Sequence, residues 1–390
     1  MNKTQLLILP SVSIWKENNS FIFDRKFYDG LLRYIEYWPG EVSCIMKFSD
    51  TQPPDFGLVK KLENELPFHF SVLNKKESLT SEHLKKASIV LASADSHDQL
   101  HVSELCRDIG IKCVYIIEYI PETRYQIAAL STLNPIVSIK RNFFIWRGEQ
   151  KRLKAFSCSD GLQINGSAGY AEYNRFDNGL LYFDSRINPN MLIEENELDA
   201  RHGYLKKNKS LRLAFSGRLI RMKGADHLVQ LAKQLKNRNI DFHFSIYGSG
   251  ELEQEMKTYL SEQGLEQSVS MHGAIDFYQQ LIPDLKQNVD LFVCLHRQSD
   301  PSCTYLETLS CGLPIIGYEN QAFSGLLKQA DIGWGVDLDD LQSVAHKISF
   351  LNLNREQIIE KSKQSLLFAK KHDFESTFLR RIKHLYDLVI

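Results

Sequence analysis

The sequence predicts an α/β chain of two domains, each a doubly wound parallel sheet. Three observations predict it. Short, β-branched apolar runs alternate with helix-period segments from one end to the other, the pattern of parallel strands joined by crossover helices. The 390 residues exceed one ordinary domain and are enough for two cores. Between 184 and 210 the apolar rhythm fades and ends in the charged stretch RHGYLKKNKS, which marks a junction between domains.

In the first half the apolar runs predict strands at 5–9, 42–46, 88–92, 112–117 and 180–183, with helices at 25–36, 98–109 and 142–155. The second half is more regular. LRLAF at 211–215 precedes a helix from Lys223, and FHFSIY at 242–247 precedes one from Glu251. A strand around Val269 is followed by a helix from Asp276, and VDLFVCL at 289–295 by a helix through 304–311 and the strand PIIGY. Amphipathic helices from Arg355 and from Phe374 close the chain. The domains are accordingly 1–195 and 196–370, with 371–390 a helix that returns to the first domain.

Composition narrows the function. Hydrophobic residues at 43% and charged residues at 24% fit a globular protein, and a net charge of −1 lacks the basic excess of a general nucleic-acid binder. The seven cysteines are scattered with no C-x-x-C pair, which predicts reduced thiols and a cytoplasmic protein. Pro10, Ser11, Ser13 and Trp15 break the opening apolar run, which reads as a first strand rather than a signal peptide. No apolar run reaches the roughly 18 residues a membrane span needs.

Four turns in the second half carry chemistry. S-G-R-L-I-R-M-K-G at 216–224 ends a strand, turns at Gly217 and sets Arg218 and Lys223 beside a helix start. Fixed cations and helix-end amides together suit a diphosphate. Y-G-S-G-E-L at 247–252 supplies Gly248 and Gly250 at a strand–helix turn, and M-H-G-A at 271–274 supplies His272 and Gly273. H-R-Q-S-D-P-S-C-T-Y-L-E-T-L-S-C-G-L-P-I-I-G-Y at 296–318 joins a buried strand to a helix bearing Glu307, whose carboxylate can accept two ribose hydroxyls, and Gly-x-Pro then stops the helix. Taken singly, each has an ordinary reading as surface cations, a plain turn, an exposed loop histidine or a surface glutamate.

In order and spacing these turns resemble those of retaining glycosyltransferases of family four, over about 211 to 390. The resemblance implies the GT-B fold, two Rossmann-like doubly wound domains facing a cleft, and transfer of a hexosyl unit from a nucleotide-diphosphate-sugar to an acceptor hydroxyl with retention of anomeric configuration, without metal or other cofactor. It gives Arg218 and Lys223 the donor diphosphate and Glu307 the ribose. The first Glu of the family's Glu-x7-Glu motif falls on Ser299, a departure; Asp300, one residue later, is the candidate carboxylate for the sugar. Backbone amides of Ser302, Cys303 and Thr304 then face phosphate and sugar. The resemblance also implies a bacterial surface glycan or its lipid-linked precursor as acceptor, which brings the enzyme to the inner membrane face as a peripheral protein.

The first half resembles the family less. Where relatives place a histidine after the strand at 113–117, this chain has Glu118, with Thr123 and Arg124 following. Two readings stand for Glu118: a cleft carboxylate for sugar or acceptor, or a buried glutamate paired with Arg124. G-L-Q-I-N-G-S at 161–167 resembles an inner loop and offers Asn165. In H-D-Q-L-H at 97–101 the zinc-hydrolase reading fails for want of a general-base Glu and a third ligand, and His97 is placed at a helix start near the cleft as a catalytic candidate. Asp337 and Asp339 form a D-x-D better read as helix-capping acids than as metal ligands. Two other functions share these features: a nucleotide-sugar epimerase of the same fold, and a donor-binding partner subunit without catalysis.

Overall fold

The computed structural model describes residues 4–49, 51–54, 57–74, 77–130 and 134–390, and the chain divides into two units, Met1–Tyr182 with Glu375–Ile390, and Phe183–Phe374. In the first unit the strands are β1 (Gln5–Ile8), β2 (Trp15–Glu17), β3 (Ser20–Asp24), β4 (Glu41–Lys47), β5 (Leu58–Leu62), β6 (His69–Leu73), β7 (Ile89–Ser93), β8 (Lys112–Ile117), β9 (Gly161–Asn165) and β10 (Gly179–Tyr182). Seven of them form a parallel sheet in the order β10-β9-β8-β7-β1-β4-β6. β7 and β9 are buried along their whole length, as strands covered on both faces must be.

Several elements differ from the sequence reading. β2, β3 and β5 form a separate antiparallel sheet. Its first hairpin turns through Asn18 and Asn19, with Asn18 at φ 53°, a conformation asparagine tolerates better than most side chains. The segment 161–167 is not a loop: β9 pairs β8 and β10, and a helix starts at Gly166. The helix expected from 142 spans Pro135–Ser157, because Asn134 caps it through the amides of Ile136 and Val137 and Pro135 suits its first position. The helix expected from 98 is instead a 3-10 turn, His97–Gln99, followed by Val102–Asp108.

The second unit has β11 (Leu211–Ser216), β12 (Phe242–Tyr247), β13 (Val269–Gly273), β14 (Leu291–Cys294), β15 (Ile315–Tyr318) and β16 (Gly333–Val336), all parallel, in the order β13-β12-β11-β14-β15-β16. Chain direction across the sheet reverses between β11 and β14, and in open α/β sheets ligands settle in the crevice beyond the carboxyl ends at that point. The β11–β14 register is pinned by Asp290, which accepts from the Arg212 backbone N–H at 3.0 Å and its guanidinium at 2.7 Å. Beneath, Phe215, Leu219, Leu228, Leu291, Val293 and Leu295 belong to one core cluster.

The last helix, Phe374–Asp387, belongs to the first unit from Glu375 onward. Phe378 meets Tyr34 edge-on at 5.4 Å, and Arg381 donates Nε to Gln163 Oε1 at 2.8 Å.

Candidate functional site

After β11 the chain must turn sharply and release a short 3-10 segment, Arg221–Lys223, before the helix Ala225–Asn237 begins; that helix starts two residues later than expected. Gly224 makes this possible. It sits at φ 69°, and a Cβ there would lie 2.0 Å from the Leu295 carbonyl oxygen. Gly248 is equally constrained: φ is 124°, a Cβ would fall 1.9 Å from the Gly217 carbonyl oxygen, and its N–H donates to Gly273 O at 2.7 Å. Gly250 packs on Leu219, whose oxygen a Cβ would approach to 2.5 Å. The glycines thus let three strand-end turns stack backbone on backbone.

Lys223 is buried, and its Nζ stands 3.3 Å from each carboxylate oxygen of Asp300. Arg218 is exposed, and among the described residues its guanidinium has no ion-pair partner. One cation is therefore held by an acid that follows β14, and a second extends into solvent from the turn after β11.

Asp300 precedes the helix Cys303–Ser310, capped by Ser302. The Ser302 N–H is engaged by the Asp300 carbonyl oxygen at 2.8 Å, so the first helical turn is opened by Cys303 and Thr304. Ser299, where the resemblance places a Glu, is buried at 2% exposure. Glu307, on the buried side of the helix, accepts at Oε1 from Arg186 Nε at 2.9 Å, and Arg186 NH2 lies 2.9 Å from the same oxygen. Arg186 in turn lies 4.1 Å from the ring centroid of Phe277. Burial opposes the Arg186 charge, but Glu307 outweighs it and raises the guanidinium pKa.

His272 is exposed and stacks on buried Tyr247, centroids 4.6 Å apart at 14°, with Nε2 3.2 Å from Ser245 Oγ; Gly273 beside it has φ 71°. Tyr247 thus backs the exposed His272 ring at the ends of β12 and β13.

Three participants escaped the sequence reading. Arg186 lies in the unpatterned junction, and nothing local announces its contact with Glu307. Arg297 donates to Asp226 at 2.8 and 3.1 Å and to Asp339 at 2.6 Å, while its backbone N–H donates to Met222 O at 3.0 Å, so it ties the segment after β14 to the turn carrying Lys223. The D-x-D reading changes accordingly: Asp339 receives Arg297, and the helix cap is the next acid, Asp340. His296 is fully buried with neither ring nitrogen hydrogen-bonded among the described residues; burial, then the Lys223 charge, hold its pKa well below the ordinary value.

In the first unit, Glu118 accepts from Asn165 Nδ2 at 2.7 Å and Tyr182 Oη at 3.0 Å, uniting the ends of β8, β9 and β10. The pairing with Arg124 does not occur. Arg124 bonds Asp95 instead, and Asp95 accepts the Glu118 N–H at 2.8 Å. Thr123 is fully buried with no partner for Oγ1 among the described residues, and Asn165 is 3% exposed. His97 begins the 3-10 turn after β7; burial, then Arg152, Arg124 and Lys151, lower its pKa. Among the described residues no cluster of three or more His, Cys, Asp or Glu is placed to hold a metal.

With these turns in place, comparison with known proteins is direct. Residues 197–365 match the model of the family "Glycosyl transferases group 1". A curated relative, an uncharacterized glycosyltransferase of Haemophilus influenzae, is 23% identical over 196 residues, covering 49% of this chain and 51% of that protein. The putative colanic acid biosynthesis glycosyltransferase WcaL of Escherichia coli is 21% identical over 187 residues, covering 44% and 43%. The chain thus spans about half the length of these curated relatives. Among solved structures, Anabaena Alr3699/HepE in complex with UDP superposes with a TM-score of 0.68 at 12% identity, covering 98% of this chain and 99% of that one. At that identity the likeness shows the fold: the chain has the GT-B architecture, built of two Rossmann-like units.

Proposed function

We propose that the chain is a retaining glycosyltransferase that moves a hexosyl unit from a nucleoside-diphosphate sugar to an acceptor hydroxyl in the cytoplasm. The observation that carries this reading is the Lys223–Asp300 pair with Arg218 beside it, at the point where β11 and β14 diverge. Lys223, Arg218 and the first turn at Cys303 and Thr304 bind the diphosphate. Their fixed positive charge stabilises the anion that grows as the anomeric C–O bond breaks, so that no metal is required. The acceptor oxygen forms the new bond, and its proton passes to the departing phosphate. Asp300, released from Lys223 as phosphate arrives, meets the sugar hydroxyls.

Glu307 takes a ribose hydroxyl through Oε2 while Arg186 fixes Oε1. His272, stacked on the buried Tyr247, offers a surface at the strand ends, and Gly273, with open space where a Cβ would stand, admits the nucleotide to the backbone, while Gly217, Gly248 and Gly250 hold the turns that shape the site. UDP in the Anabaena neighbour supports a uridine nucleotide, and the colanic acid assignment of the Escherichia coli relative supports a surface glycan or its lipid-linked precursor as acceptor. Glu118, His97 and Arg124 are assigned to the acceptor side; Thr123, which is fully buried, and Asn165, which is 3% exposed and donates to Glu118, support them from beneath instead of touching the acceptor.

A thermal-shift panel of UDP-, GDP-, ADP- and dTDP-linked sugars tests the donor assignment, because a ligand that binds the folded state raises its apparent stability. One nucleotide class should raise the melting temperature, and no response to any of the four contradicts the reading. NMR of the product tests stereochemistry: an inverted anomeric centre removes the chain from retaining chemistry.

A further inference from the structure

Lys223 stands on a single 3-10 turn, Arg221–Lys223, which closes few hydrogen bonds of its own. Arg297, from the segment after β14, holds that turn. Its backbone N–H donates to Met222 O at 3.0 Å, and its guanidinium donates to the Arg221 carbonyl oxygen and, at 2.8 and 3.1 Å, to both carboxylate oxygens of Asp226. The guanidinium nitrogen that meets Asp226 Oδ2 also lies 2.9 Å from His227 Nε2.

That last contact fixes the state of the imidazole. A guanidinium can donate but has no lone pair with which to accept, so Nε2 must accept and the ring proton must sit on Nδ1. Nδ1 lies 2.7 Å from Tyr318 Oη, at the end of β15, and donates to it. A second ring proton would set N–H against N–H and one cation against another, near the start of a helix, where positive charge is also unfavourable. Acids face the ring as well: Asp226 Oδ2 lies 3.9 Å from Nε2 and Asp339 Oδ1 3.7 Å from Nδ1, and both residues already receive Arg297. Burial, then Arg297 and, more weakly, Arg221, hold the His227 pKa below its ordinary value of 6.5 against the pull of Asp226 and Asp339. Once protonated, His227 competes with Arg297 for the same two carboxylates.

We infer that His227 is a positioning residue for Lys223: uncharged, it accepts from Arg297 and lets that side chain pin the 221–224 turn; protonated, it drives Arg297 off and releases the turn. The inference rests on the reading of Lys223 as the cation of a diphosphate site, and it makes that site acid-sensitive. The hold is complete above pH 6.5 and is lost as pH falls through the lowered pKa of His227.

The test has two readouts on the full chain, one of them without ligand, each taken at about pH 7.5 and about pH 5. The first is hydrogen exchange at Lys223 and Gly224, whose amides bond to the Ile220 and Arg221 carbonyls, expressed as protection relative to the unfolded chain. The second is calorimetric titration with UDP-glucose, whose diphosphate is esterified at both ends and does not itself titrate in this range. In the wild type, acid lowers protection about tenfold or more, and affinity falls with it. His227→Gln, which offers Arg297 an uncharged acceptor, keeps the neutral-pH affinity and shows neither change. His227→Lys, a permanent cation, binds weakly at both pH values. His202 is common to all three chains, so a difference between them belongs to His227. An equal acid response in the wild type and His227→Gln overturns the inference, as does wild-type protection that does not move with pH. A wild-type turn that loosens in acid, with no such change in His227→Gln and no binding of UDP-glucose at either pH, upholds the role of His227 and overturns the donor reading instead.

Discussion

Lys223 Nζ stands 3.3 Å from both carboxylate oxygens of Asp300, so the cation assigned to the diphosphate is held by an acid. A diphosphate must displace that acid. Asp300→Asn therefore leaves nucleotide affinity unchanged or tighter, while sugar transfer falls by about 100-fold, as for loss of one group that meets the reacting sugar. Calorimetric titration with nucleoside diphosphate and a transfer assay separate the two effects. Transfer at the wild-type rate would remove Asp300 from the reaction, and loss of both binding and transfer would make it structural.

Lys223→Ala weakens nucleoside-diphosphate binding about 10- to 100-fold, the value of a charge-assisted hydrogen bond. Lys223→Arg restores part of it. Titration calorimetry reads both, and affinity equal to wild type in the alanine variant excludes Lys223 from the phosphate site.

Both Arg186 contacts fall on Glu307 Oε1, leaving Oε2 for a ribose hydroxyl. Glu307→Gln and Arg186→Gln should each narrow the preference for a ribonucleoside diphosphate over its 2′,3′-dideoxy analogue, because a site built for a hydroxyl rejects the ligand lacking it. Competition binding measures the ratio. A preference unchanged in Glu307→Gln places the ribose elsewhere.

His202 titrates against the fold. Buried beside Ser362, whose Oγ is 2.9 Å from Nε2, its pKa is pulled down from 6.5 to about 4, chiefly by burial and then by Arg201. The folded state thus binds a proton less readily than the unfolded state. Its contribution is complete above pH 6.5 and is lost as pH falls from 6.5 towards 4. Urea midpoints measured across that window should drop with acid, and His202→Gln should flatten the slope; an unaltered slope assigns the acid sensitivity to other groups.

Much of this was legible in the sequence, and what was not has physical causes. β11, β12 and β14 announce themselves as short apolar runs because parallel strands bury both faces, and Gly224 and Gly248 mark turns that a Cβ would block. The antiparallel β2–β3 hairpin carries a weak local signal: Asn18 tolerates its φ of 53°, but no glycine follows it in the turn. Asn134–Pro135, by contrast, marked the helix start that was placed two turns late. Arg186 carries no such signal, since it lies 121 positions from Glu307 and only the folded chain brings them together. For Glu118, Arg124 six residues on was one of two readings the sequence left open, but the sheet order supplied Asn165 and Tyr182 from neighbouring strand ends.

The most direct measurement is titration calorimetry of UDP, GDP, ADP and dTDP into the wild-type chain and into Arg218→Ala/Lys223→Ala. One nucleotide should bind the wild type and lose about 100-fold or more in affinity to the double variant, with its melting temperature retained. Undiminished affinity in the double variant would contradict a diphosphate site built on these two cations.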